Sequence, residues 1–369
     1  MINTIKKKLK NLFKQTAYSI FKIIYGEIKG IVNPNSDSRI IVDKVKLFSD
    51  NEYKIFSIDM GRIYTDTIND TAIIIDKYLV DGASFQIRDV KNSNSTNNIV
   101  FTKGTPKIKK KLNGSIFSLL TGGAGNANYW HWLFDVLPRI KILTERENLE
   151  NIDYFLFPDI NQKFQKETLD ILNIKKSKRL SSKNYRHIQA DKVFVVDHPY
   201  VIKNDPSTEI QNIPRWIVEW LKKSFLDNIN FENKTLPKKF YIDRKDAKSN
   251  HSHLRKIINE KQIKEILIKN GFSNVVLSDL NFYDQVNLFN NATHIVGLHG
   301  AGFANLAFSK PNTLVLELKS KFSGPVCGNL AKHNNLNYSD ISVMPTEHAG
   351  RNQQGHIEIP LDLLREKIV

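Results

Sequence analysis

One stretch near the C-terminus restricts the fold of this chain more than any other. Residues 293–296 form a short apolar, β-branched run, which is typical of a buried strand. A glycine-rich turn follows at 297–302, residues 303–308 resemble the first turns of a helix, and 314–318 form a second apolar strand. Strand, glycine turn, helix and strand in this order predict a βαβ unit with parallel strands.

The glycine turn of this unit is a candidate anion site. Glycine lets a ligand approach the bare backbone, and the start of a helix presents unpaired N–H groups and a positive dipole end, which suit phosphate. We therefore expect His299, Gly300, Ala301 and Gly302 to bind an anionic group. Glycines that only allow tight packing between strand and helix are the alternative.

Glu317 is the one carboxylate in the second apolar strand of the unit. A buried carboxylate is costly unless it has a partner. The sugar hydroxyls of a nucleotide would be such a partner, so Glu317 is a candidate ribose ligand.

The length and composition of the chain indicate a globular protein. A chain of 369 residues normally forms two domains, and 41% hydrophobic with 25% charged residues argues against disorder. The single cysteine, Cys327, excludes an internal disulfide and a thiolate metal cluster and fits a reducing compartment. The net charge of +16 makes nucleic acid, anionic membranes and phosphorylated substrates candidate partners.

Residues 1–30 carry much of the positive charge. They contain seven lysines against Glu27, and their apolar residues recur mainly at steps of three and four, which predicts an amphipathic helix. Such a helix suits the surface of an anionic membrane, although a helix docked on the body of its own protein would show the same pattern. The longest weakly charged run is about ten residues, too short to span a bilayer, and no small-residue cleavage site indicates a signal peptide.

A second informative stretch covers residues 119–140. Its glycine turn leads into a helix on which His131 and Asp135 stand four residues apart, close enough to interact. A carboxylate beside an imidazole orients it and stabilises its protonated form, an arrangement used in general-base chemistry. The alternative is an exposed pair on a helix whose aromatic residues belong to the core. Arg139 is a candidate anion ligand or a plain surface ion pair.

Strands and helices alternate in each half of the chain after a linker at 33–38. This pattern predicts an α/β fold of two domains with parallel sheets, whose intervening cleft is the default ligand site. Arg244 follows the apolar strand at 240–242 and could reach a phosphate. We expect an N-terminal helix at 1–32, domains at 40–232 and 238–345, and a tail at 346–369 that packs back on the N-terminal domain.

Three motifs together resemble glycosyltransferase family 61. They are YWHWLFDVLPRI, then YIDRKDA with LRKIINE, and then FYDQVNLFNNATHIVGLHGAGFANLAF followed by LVLEL. The resemblance runs nearly unbroken over residues 241–318 and covers roughly 122–143. The first hundred residues and the tail after 320 resemble no family that we can name.

The resemblance implies a GT-B-like fold, in which two Rossmann-like domains face each other across a cleft. The C-terminal domain would bind a nucleotide-sugar donor, and the 40–232 domain would serve the acceptor. The sugar would be transferred with inversion and without an essential metal or other cofactor. The sequence agrees, because it contains no Asp-x-Asp, the spacing that a metal-dependent donor site would use. His251 and His253 have no carboxylate or cysteine at metal spacing and fit a solvated loop better.

The expected mechanism is a single displacement. Asp135 or His131 would take the proton from the acceptor hydroxyl, and the residues leave this choice open. Charge on the leaving nucleoside diphosphate would be offset by Arg244, His299 and the amides of Gly300–Gly302. By family resemblance Asn259 matches a position near the donor, and Asn305 joins the donor-binding set. The expected acceptor-side residues are Gly123, Gly125, Asn126, Tyr129, Trp130 and Arg139.

By analogy, such an enzyme would build capsule, lipopolysaccharide or another cell-surface glycan on a glycan or lipid-linked acceptor. It would be cytoplasmic, with a peripheral position on the inner face of the membrane through residues 1–30. Two alternatives are an inactive scaffold of the same fold at the membrane and a basic nucleic-acid-binding protein. We expect no nucleic-acid partner, because no basic–aromatic strand motif, zinc pattern or recognition helix occurs.

Overall fold

The computed structural model describes residues 2–47, 51–65, 71–84, 95–122, 127–201, 205–227, 235–245, 255–348 and 355–368. Contacts between residues divide the chain into two compact units. The first unit contains Met1–Asn161 and Ile174–Glu209, and the second contains Gln162–Asn173 and Ile210–Val369. Residues 210–226 therefore group with the second unit, whereas the sequence-based boundary at 232 assigned them to the N-terminal domain.

The strands of the described residues are numbered in chain order. They are β1 (Gly30–Val32), β2 (Ile40–Lys46), β3 (Glu52–Asp59), β4 (Arg62–Thr65), β5 (Thr71–Ile75), β6 (Tyr78–Val80), β7 (Lys110–Ser118), β8 (Tyr154–Phe157), β9 (Arg179–Ser181), β10 (His187–Val196), β11 (Lys239–Asp243), β12 (Ser273–Val276), β13 (His294–Leu298), β14 (Leu314–Ser320), β15 (Asn337–Val343), β16 (Glu347–His348) and β17 (Gly355–His356).

The α-helices of the described residues are numbered in the same way. They are α1 (Ile2–Tyr25), α2 (Val100–Lys103), α3 (Tyr129–His131), α4 (Pro138–Leu143), α5 (Lys163–Ile171), α6 (Pro206–Glu209), α7 (Arg215–Leu226), α8 (Glu260–Lys269), α9 (Phe282–Asn290), α10 (Val326–His333) and α11 (Leu361–Lys367). Short 3₁₀ helices occur at Pro34–Ser36, Ser95–Asn97, Leu149–Asn151, Lys176–Lys178, Leu277–Asp279 and Ala301–Phe308, and a π-helical segment occurs at Trp132–Val136.

The first unit contains a mixed sheet centred on β10. Along one edge β10 pairs in parallel with β7, which continues in parallel through β8 to β9. Along its other edge β10 is antiparallel to β4 at its start and to β3 at its end. The prediction of a purely parallel sheet is therefore wrong for this half of the unit, because the short connections after β2, β4 and β5 form antiparallel pairs.

The second unit contains a parallel five-stranded sheet within the described residues, and here the α/β prediction is confirmed. The strand order is β12-β11-β13-β14-β15, and every adjacent pair is parallel. This is the doubly wound order 2-1-3-4-5, whose topological switch point lies between the first and third strands. In such sheets ligands bind beyond the carboxyl ends of the strands at the switch point, which here is bounded by the ends of β11 and β13.

The predicted βαβ unit is β13, a 3₁₀ helix and β14. The sequence pattern placed both strands, although β13 continues to Leu298 and the connecting helix Ala301–Phe308 is 3₁₀ rather than α-helical. Residues of this helix from Phe303 to Phe308 are all buried. The ring of Phe308 packs against Phe225 of α7 and Phe282 of α9 at centroid distances of 6.2 and 5.9 Å, which ties the 3₁₀ helix to both α-helices.

The C-terminal tail packs in the second unit, and the expectation that it returns to the N-terminal domain is corrected. Ile357, Ile359, Leu364 and Ile368 join the hydrophobic core that contains Tyr241 and strand residues of β13 and β14. These four side chains are at most 6% exposed. Their burial against the sheet accounts for the position of α11.

Helix α1 forms as predicted, and it contacts the first unit through its C-terminal turns. The Tyr25 ring packs edge-on against His187 at 4.9 Å, and the Tyr25 hydroxyl accepts a hydrogen bond from the Lys109 N–H at 2.9 Å. Ala17, Tyr18 and Phe21 are half-buried. Among the described residues, no helix combines the length and apolar character needed to cross a bilayer.

Candidate active site

The helix that carries His131 and Asp135 is interrupted by a π-helical turn. Asn128 caps its start, since its Oδ1 accepts the N–H groups of Trp130 and His131. The wider turn is closed by the Leu137 N–H donating to the Trp132 carbonyl at 3.1 Å. Pro138 follows, and because proline has no N–H it cannot continue the regular hydrogen-bond ladder. π-Helical turns of this kind occur often at functional sites.

His131, Asp135 and Tyr200 form a hydrogen-bonded chain. His131 Nδ1 lies 2.7 Å from Asp135 Oδ2, and the Tyr200 hydroxyl donates to Asp135 Oδ1 at 2.7 Å. The predicted contact between His131 and Asp135 is thus present. Both carboxylate oxygens are occupied, and the Asp135 side chain is 6% exposed against 33% for His131. Of the two candidate bases, Asp135 is enclosed and uses both oxygens in these hydrogen bonds. His131 reaches solvent, and its second ring nitrogen, Nε2, is not used in the contact with Asp135.

Electrostatic interactions lower the pKa of Asp135 and raise the pKa of His131. Burial alone would raise the pKa of Asp135, but the His131 imidazole and the Tyr200 hydrogen bond outweigh it and lower that pKa. The charge of Asp135 raises the pKa of His131, against the opposing effect of burial. The carboxylate therefore stays ionised and holds the His131 proton on Nδ1, which leaves Nε2 able to accept a proton.

Two buried residues, Arg139 and His198, contact members of this hydrogen-bonded chain. Arg139 is fully buried and its Nε–H donates to the Asp135 carbonyl oxygen at 2.8 Å, so it supports the π-helical turn rather than a surface ion pair. Burial lowers the pKa of Arg139 to about 10, which keeps it charged at neutral pH. The His198 ring packs edge-on against Tyr200 at 4.5 Å, and its Nδ1 accepts the N–H groups of Tyr200 and Val201.

The other acceptor-side predictions divide into buried, half-buried and undescribed residues. Trp130 is 7% exposed and packs against Phe134, and Trp132 is fully buried, so the aromatics beside His131 belong to the core and not to an open wall. Tyr129 is half-buried. Gly123, Gly125 and Asn126 lie outside the described residues.

In the second unit, the carboxyl ends of β11 and β13 bring Arg244 and His299 to the switch point. Arg244 directly follows β11, and His299 directly follows β13. The His299 N–H donates to the Leu318 carbonyl at 2.9 Å, which extends the pairing of β13 with β14 to this residue. These positions are where a doubly wound sheet binds its ligand.

A second guanidinium, Arg255, lies beside them. Its Nη1 donates to the His299 carbonyl oxygen at 2.9 Å, and its Nε is buried with no hydrogen-bond partner among the described residues. Burial lowers the pKa of Arg255, and the like charge of Arg244 adds to this effect. Two neighbouring cations and a buried unpaired N–H favour an anion as the missing partner. The motif LRKIINE contained Arg255, but sequence reasoning did not single it out.

Two glycines of the turn have different roles. A Cβ on Gly302 would lie 3.0 Å from Leu277 Cδ1, and one on Gly297 would lie 3.2 Å from side chains of Ile242 and Phe303, so these glycines allow close packing. A Cβ on Gly300 would meet nothing closer than 3.7 Å, and its φ of 168° is open to any residue. The packing alternative accounts for Gly297 and Gly302, and it leaves Gly300 as the glycine of this turn whose Cβ position is open.

Glu317 is fully buried and its oxygens are bonded within the unit. Its Oε1 lies 2.5 Å from His299 Nδ1, and its Oε2 accepts from the Tyr338 hydroxyl and lies 3.6 Å from Lys319 Nζ. Burial raises the pKa of Glu317, but these partners outweigh it and lower the pKa. Glu317 therefore orients His299, whose Nε2 remains for a ligand, and a ribose contact would require it to release one of these partners.

Asn259 and Asn305 make structural contacts. The Asn259 side chain donates to the Ile359 carbonyl at 2.8 Å and accepts the Ile359 N–H at 3.0 Å, which ties the start of α8 to the tail. Asn305 is fully buried and donates to Gln285 Oε1 at 3.1 Å. Both expected donor ligands thus position backbone around the site. Their contacts were invisible to a local reading because the partners lie 100 and 20 residues away in sequence.

His299, Glu317 and Cys327 form a buried cluster whose candidate ligand atoms lie within 4.8 Å of one another. The sequence did not predict this cluster, since its only signal was a single cysteine. The 2.5 Å separation of His299 Nδ1 and Glu317 Oε1 is a hydrogen-bond length, whereas two ligands of a tetrahedral zinc would stand about 3.4 Å apart. Burial and Glu317 raise the pKa of Cys327 well above its usual value, so the thiol keeps its proton. A metal here would have to separate the His299–Glu317 pair.

Tyr200 and His198 were also missed by the sequence reasoning. Both residues follow β10, which pairs in parallel with β7. Polar residues directly after a parallel strand are a sequence signal for a ligand site, and this signal was available. Tyr338 was missed for a different reason. It lies on β15, one strand beyond the predicted βαβ unit, and only the three-dimensional register places it beside Glu317.

One family model matches the chain. Its description is Glycosyltransferase 61, and it covers residues 129–316, which is half of the chain. The matched region contains the His131–Asp135–Tyr200 chain, the two arginines at the switch point and His299, whereas Glu317 lies one residue beyond its end. No curated protein matches the sequence at a significant level.

Proposed function

The chain belongs to glycosyltransferase family 61 and is a glycosyltransferase, and from this premise we propose which of its groups bind the donor and which one activates the acceptor. The second unit binds the diphosphate of a nucleotide sugar at the switch point of its sheet. His131 of the first unit removes the proton of the acceptor hydroxyl. The sugar is transferred with inversion, in a single displacement, onto a glycan or a lipid-linked acceptor of a cell-surface polysaccharide.

The observation that carries the donor half is the pair of guanidiniums beside the glycine turn. Arg255 has a buried Nε–H with no hydrogen-bond partner in the part of the chain that the structure describes, and its charge acts on that of Arg244. A diphosphate would satisfy this donor and offset the charge of Arg255. The Cβ position of Gly300 is open, so a phosphate can lie beside this residue, and His299, which Glu317 orients, lies at the same switch point.

The acceptor half depends on the hydrogen-bonded chain around Asp135. Asp135 is hydrogen-bonded to Nδ1 of the His131 ring, so Nε2 is the ring nitrogen that can accept the hydroxyl proton. When Nε2 takes the hydroxyl proton, the imidazolium that forms is stabilised by the adjacent buried carboxylate. The acceptor oxygen then forms the new bond to the anomeric carbon while the bond to the nucleoside diphosphate breaks. Asp135 is a positioning residue in this mechanism, and the base is His131.

A GT-B arrangement is part of this proposal. The two clusters belong to different units, so transfer requires that both reach one donor–acceptor complex. Transfer without an essential metal is also proposed, because Arg244 and Arg255 supply the positive charge that a divalent cation would otherwise bring to a diphosphate.

The proposal is tested by release of nucleoside diphosphate from a panel of nucleotide sugars, with lipid and oligosaccharide extracts as acceptors. We expect one donor to be turned over, with His131→Ala reducing kcat about 10²- to 10⁴-fold while the affinity for the nucleoside diphosphate is kept. A wild-type rate for His131→Ala would refute the assignment of the base. Full activity in excess chelator supports metal-free transfer, and loss that Mg²⁺ or Mn²⁺ restores would refute it.

We further propose that α1 lies on an anionic membrane surface. Six of its apolar side chains are at least 50% exposed: Ile5, Leu12, Phe13, Ile20, Ile23 and Ile24. At 100° per residue these positions span about 120° of the helix, on a side different from the Ala17, Tyr18, Phe21 and Tyr25 side that packs on the first unit. An exposed apolar stripe on a helix whose sequence contains six lysines matches a bilayer interface that carries negative charge.

Co-sedimentation with vesicles tests this location. We expect the protein to bind vesicles that contain phosphatidylglycerol, and Phe13→Glu with Ile23→Glu to abolish binding without loss of folding, because both side chains are more than 70% exposed. Equal binding by the double variant would refute the proposal.

A further inference from the structure

The first unit contains a cavity that the proposed mechanism has not used. Its volume is about 700 Å³, within the range of small-molecule sites. Residues from β2, β3 and the segments after β1, β6, β7 and β10 line it. Nearly all of them precede residue 129, where the family match begins, so this cavity is built mainly by the part of the chain that the family does not account for.

Three buried polar atoms in the cavity wall have no hydrogen-bond partner among the described residues. They are Ser95 Oγ, Thr121 Oγ1 and His198 Nε2, and their residues are 2%, 1% and 2% exposed. Buried polar groups are nearly always paired, and leaving one unpaired is costly. Three such atoms around one cavity indicate that a bound molecule supplies their partners.

The chemistry of these atoms points to hydroxyl groups. His198 Nδ1 accepts two backbone N–H groups, so its proton resides on Nε2, which is a donor. Burial lowers the pKa of His198 to about 3, and the ring is neutral at physiological pH. The hydroxyls of Ser95 and Thr121 can each donate and accept. A sugar hydroxyl, which also donates and accepts, matches all three.

The charges in the wall disfavour an ionic ligand. Two lysines and three carboxylates line the cavity, and one lysine is already paired, with Lys44 Nζ 2.8 Å from Glu52 Oε1. Asp197 Oδ2 accepts the Lys54 N–H at 2.7 Å. A site for phosphate or for a metal would carry a clear excess of one sign. This nearly balanced, polar wall fits a neutral molecule rich in hydroxyls.

The cavity adjoins the hydrogen-bonded chain of the base through His198. The His198 ring in its wall packs against Tyr200, and Tyr200 donates to the Asp135 carboxylate that holds His131. A molecule bound to His198 Nε2 would therefore contact the residue that packs against Tyr200, and Tyr200 helps to position the base through Asp135. This continuity connects ligand binding in the cavity with the acceptor half of the reaction.

We propose that this cavity binds a neutral sugar unit of the acceptor, with Ser95, Thr121 and His198 as its hydrogen-bonding residues. The inference rests on the proposed function, because it assigns the acceptor of that reaction to a chemical class. Acceptor recognition then lies mainly in residues 33–121, outside the family match, whereas donor binding lies inside it.

Saturation-transfer NMR with methyl glycosides of glucose, galactose, mannose and N-acetylglucosamine tests the proposal on the full chain. A single sugar unit of about 12–15 heavy atoms is expected to bind with a dissociation constant of about 1 mM. We expect at least one glycoside to bind the wild type, and Ser95→Ala with Thr121→Val to weaken it about tenfold or more. Ser118→Ala is the matched control, since Ser118 is also buried with an unpartnered hydroxyl in the same unit but does not line the cavity.

A second pair of variants tests the cavity without touching its buried wall. Asn35 is exposed at the rim, and Asn35→Trp should block entry and abolish glycoside binding. Ser38→Trp, at an exposed position outside the lining, should leave binding unchanged. Equal binding by Asn35→Trp and the wild type would overturn the proposal, and so would a wild type that binds none of the glycosides, since the cavity would then hold water only.

Titration of nucleoside diphosphates into the same preparations separates this inference from the proposed function. If they bind and no glycoside does, the sugar cavity is refuted and the donor proposal stands. If glycosides bind as described but no nucleotide binds and no nucleotide sugar is turned over, the proposed function fails while the sugar site is supported.

Discussion

Replacement of Asp135 by asparagine tests the role of the buried carboxylate most sharply. Asp135 accepts hydrogen bonds from His131 Nδ1 and from the Tyr200 hydroxyl, one on each oxygen. An asparagine keeps the shape of the side chain but has one acceptor and one NH₂ group. If the NH₂ group faces His131, the ring must accept at Nδ1 and carry its proton on Nε2, the nitrogen that has to act as the base.

The expected loss follows from these two changes. The wrong tautomer blocks the base, and the imidazolium formed during transfer loses an adjacent buried negative charge. General-base catalysis contributes about 10²- to 10⁴-fold, so Asp135→Asn should reduce kcat by a factor within that range while the KM for the donor changes little. Tyr200→Phe removes one hydrogen bond to a charged group, worth about 1.5–3 kcal/mol, and should have a smaller effect in the same direction.

The pH profile identifies the cause. The base must be unprotonated, and Asp135 raises the pKa of His131, so the acidic limb of kcat/KM in the wild type should lie above the ordinary histidine value of about 6.5. Without the carboxylate the raising effect is lost and burial lowers the pKa, so the limb should move to lower pH in Asp135→Asn. The raised pKa also stabilises the folded state below about pH 6.5, and this contribution is lost as the pH rises through the folded-state value.

The assay is nucleoside diphosphate release between pH 5 and 9. Asp153→Asn is the matched control, because Asp153 also accepts hydrogen bonds inside the first unit, from Ser115, and has no contact with the base. A wild-type rate for Asp135→Asn, or an acidic limb that stays in place, would show that Asp135 does not position His131.

Four further substitutions test the site and the cavity. Gly300→Ala should leave the melting temperature unchanged and weaken nucleoside diphosphate binding, whereas Gly302→Ala should lower the melting temperature because its Cβ would be 3.0 Å from a packed side chain; the opposite order in thermal melts would refute this division. Glu317→Gln should cost about 3 kcal/mol in urea unfolding because it leaves Lys319 and a histidine beside a neutral amide, and a loss below 1 kcal/mol would contradict the buried ion pair. Burial raises the pKa of Asp197 to about 6, so the folded state is favoured by its protonation and loses stability as the pH rises from about 4 to 6. Asp197→Asn should therefore add about 1–2 kcal/mol at pH 7, less than the full shift would give because the side chain is only partly buried, and an unchanged pH dependence of unfolding would contradict this.

The sequence was most informative where the chemistry is local. The apolar runs and glycines of 293–318 predicted β13 and β14, because strand, turn and strand are read from adjacent residues. The contact between His131 and Asp135 was predicted for the same reason, since a separation of four residues brings side chains together on one helix face. The interrupting π turn was not predicted, although Pro138 is its visible cause.

Contacts between distant parts of the chain lay beyond the sequence reasoning. Glu317 was expected to need a ribose, but Tyr338 and Lys319 already supply its partners, and the register of β14 with β15 brings Tyr338 there. Asn259 was assigned to the donor by resemblance, yet its amide holds the backbone of Ile359. Periodicity cannot reveal such pairs, because it reports which face of an element is buried and not what covers it.

The most direct test of the account is calorimetric titration of nucleoside diphosphates into Arg255→Gln and Lys256→Gln. Arg255 carries the buried N–H at the switch point that has no partner among the residues the structure describes. Its neighbour Lys256 is exposed and has the same charge, so this second variant controls for the basic character of the protein. Loss of a charge-assisted hydrogen bond, worth about 1.5–3 kcal/mol, predicts that Arg255→Gln binds about 10- to 100-fold more weakly than the wild type, with Lys256→Gln unchanged. Equal affinities for the two variants would contradict the assignment of the diphosphate site.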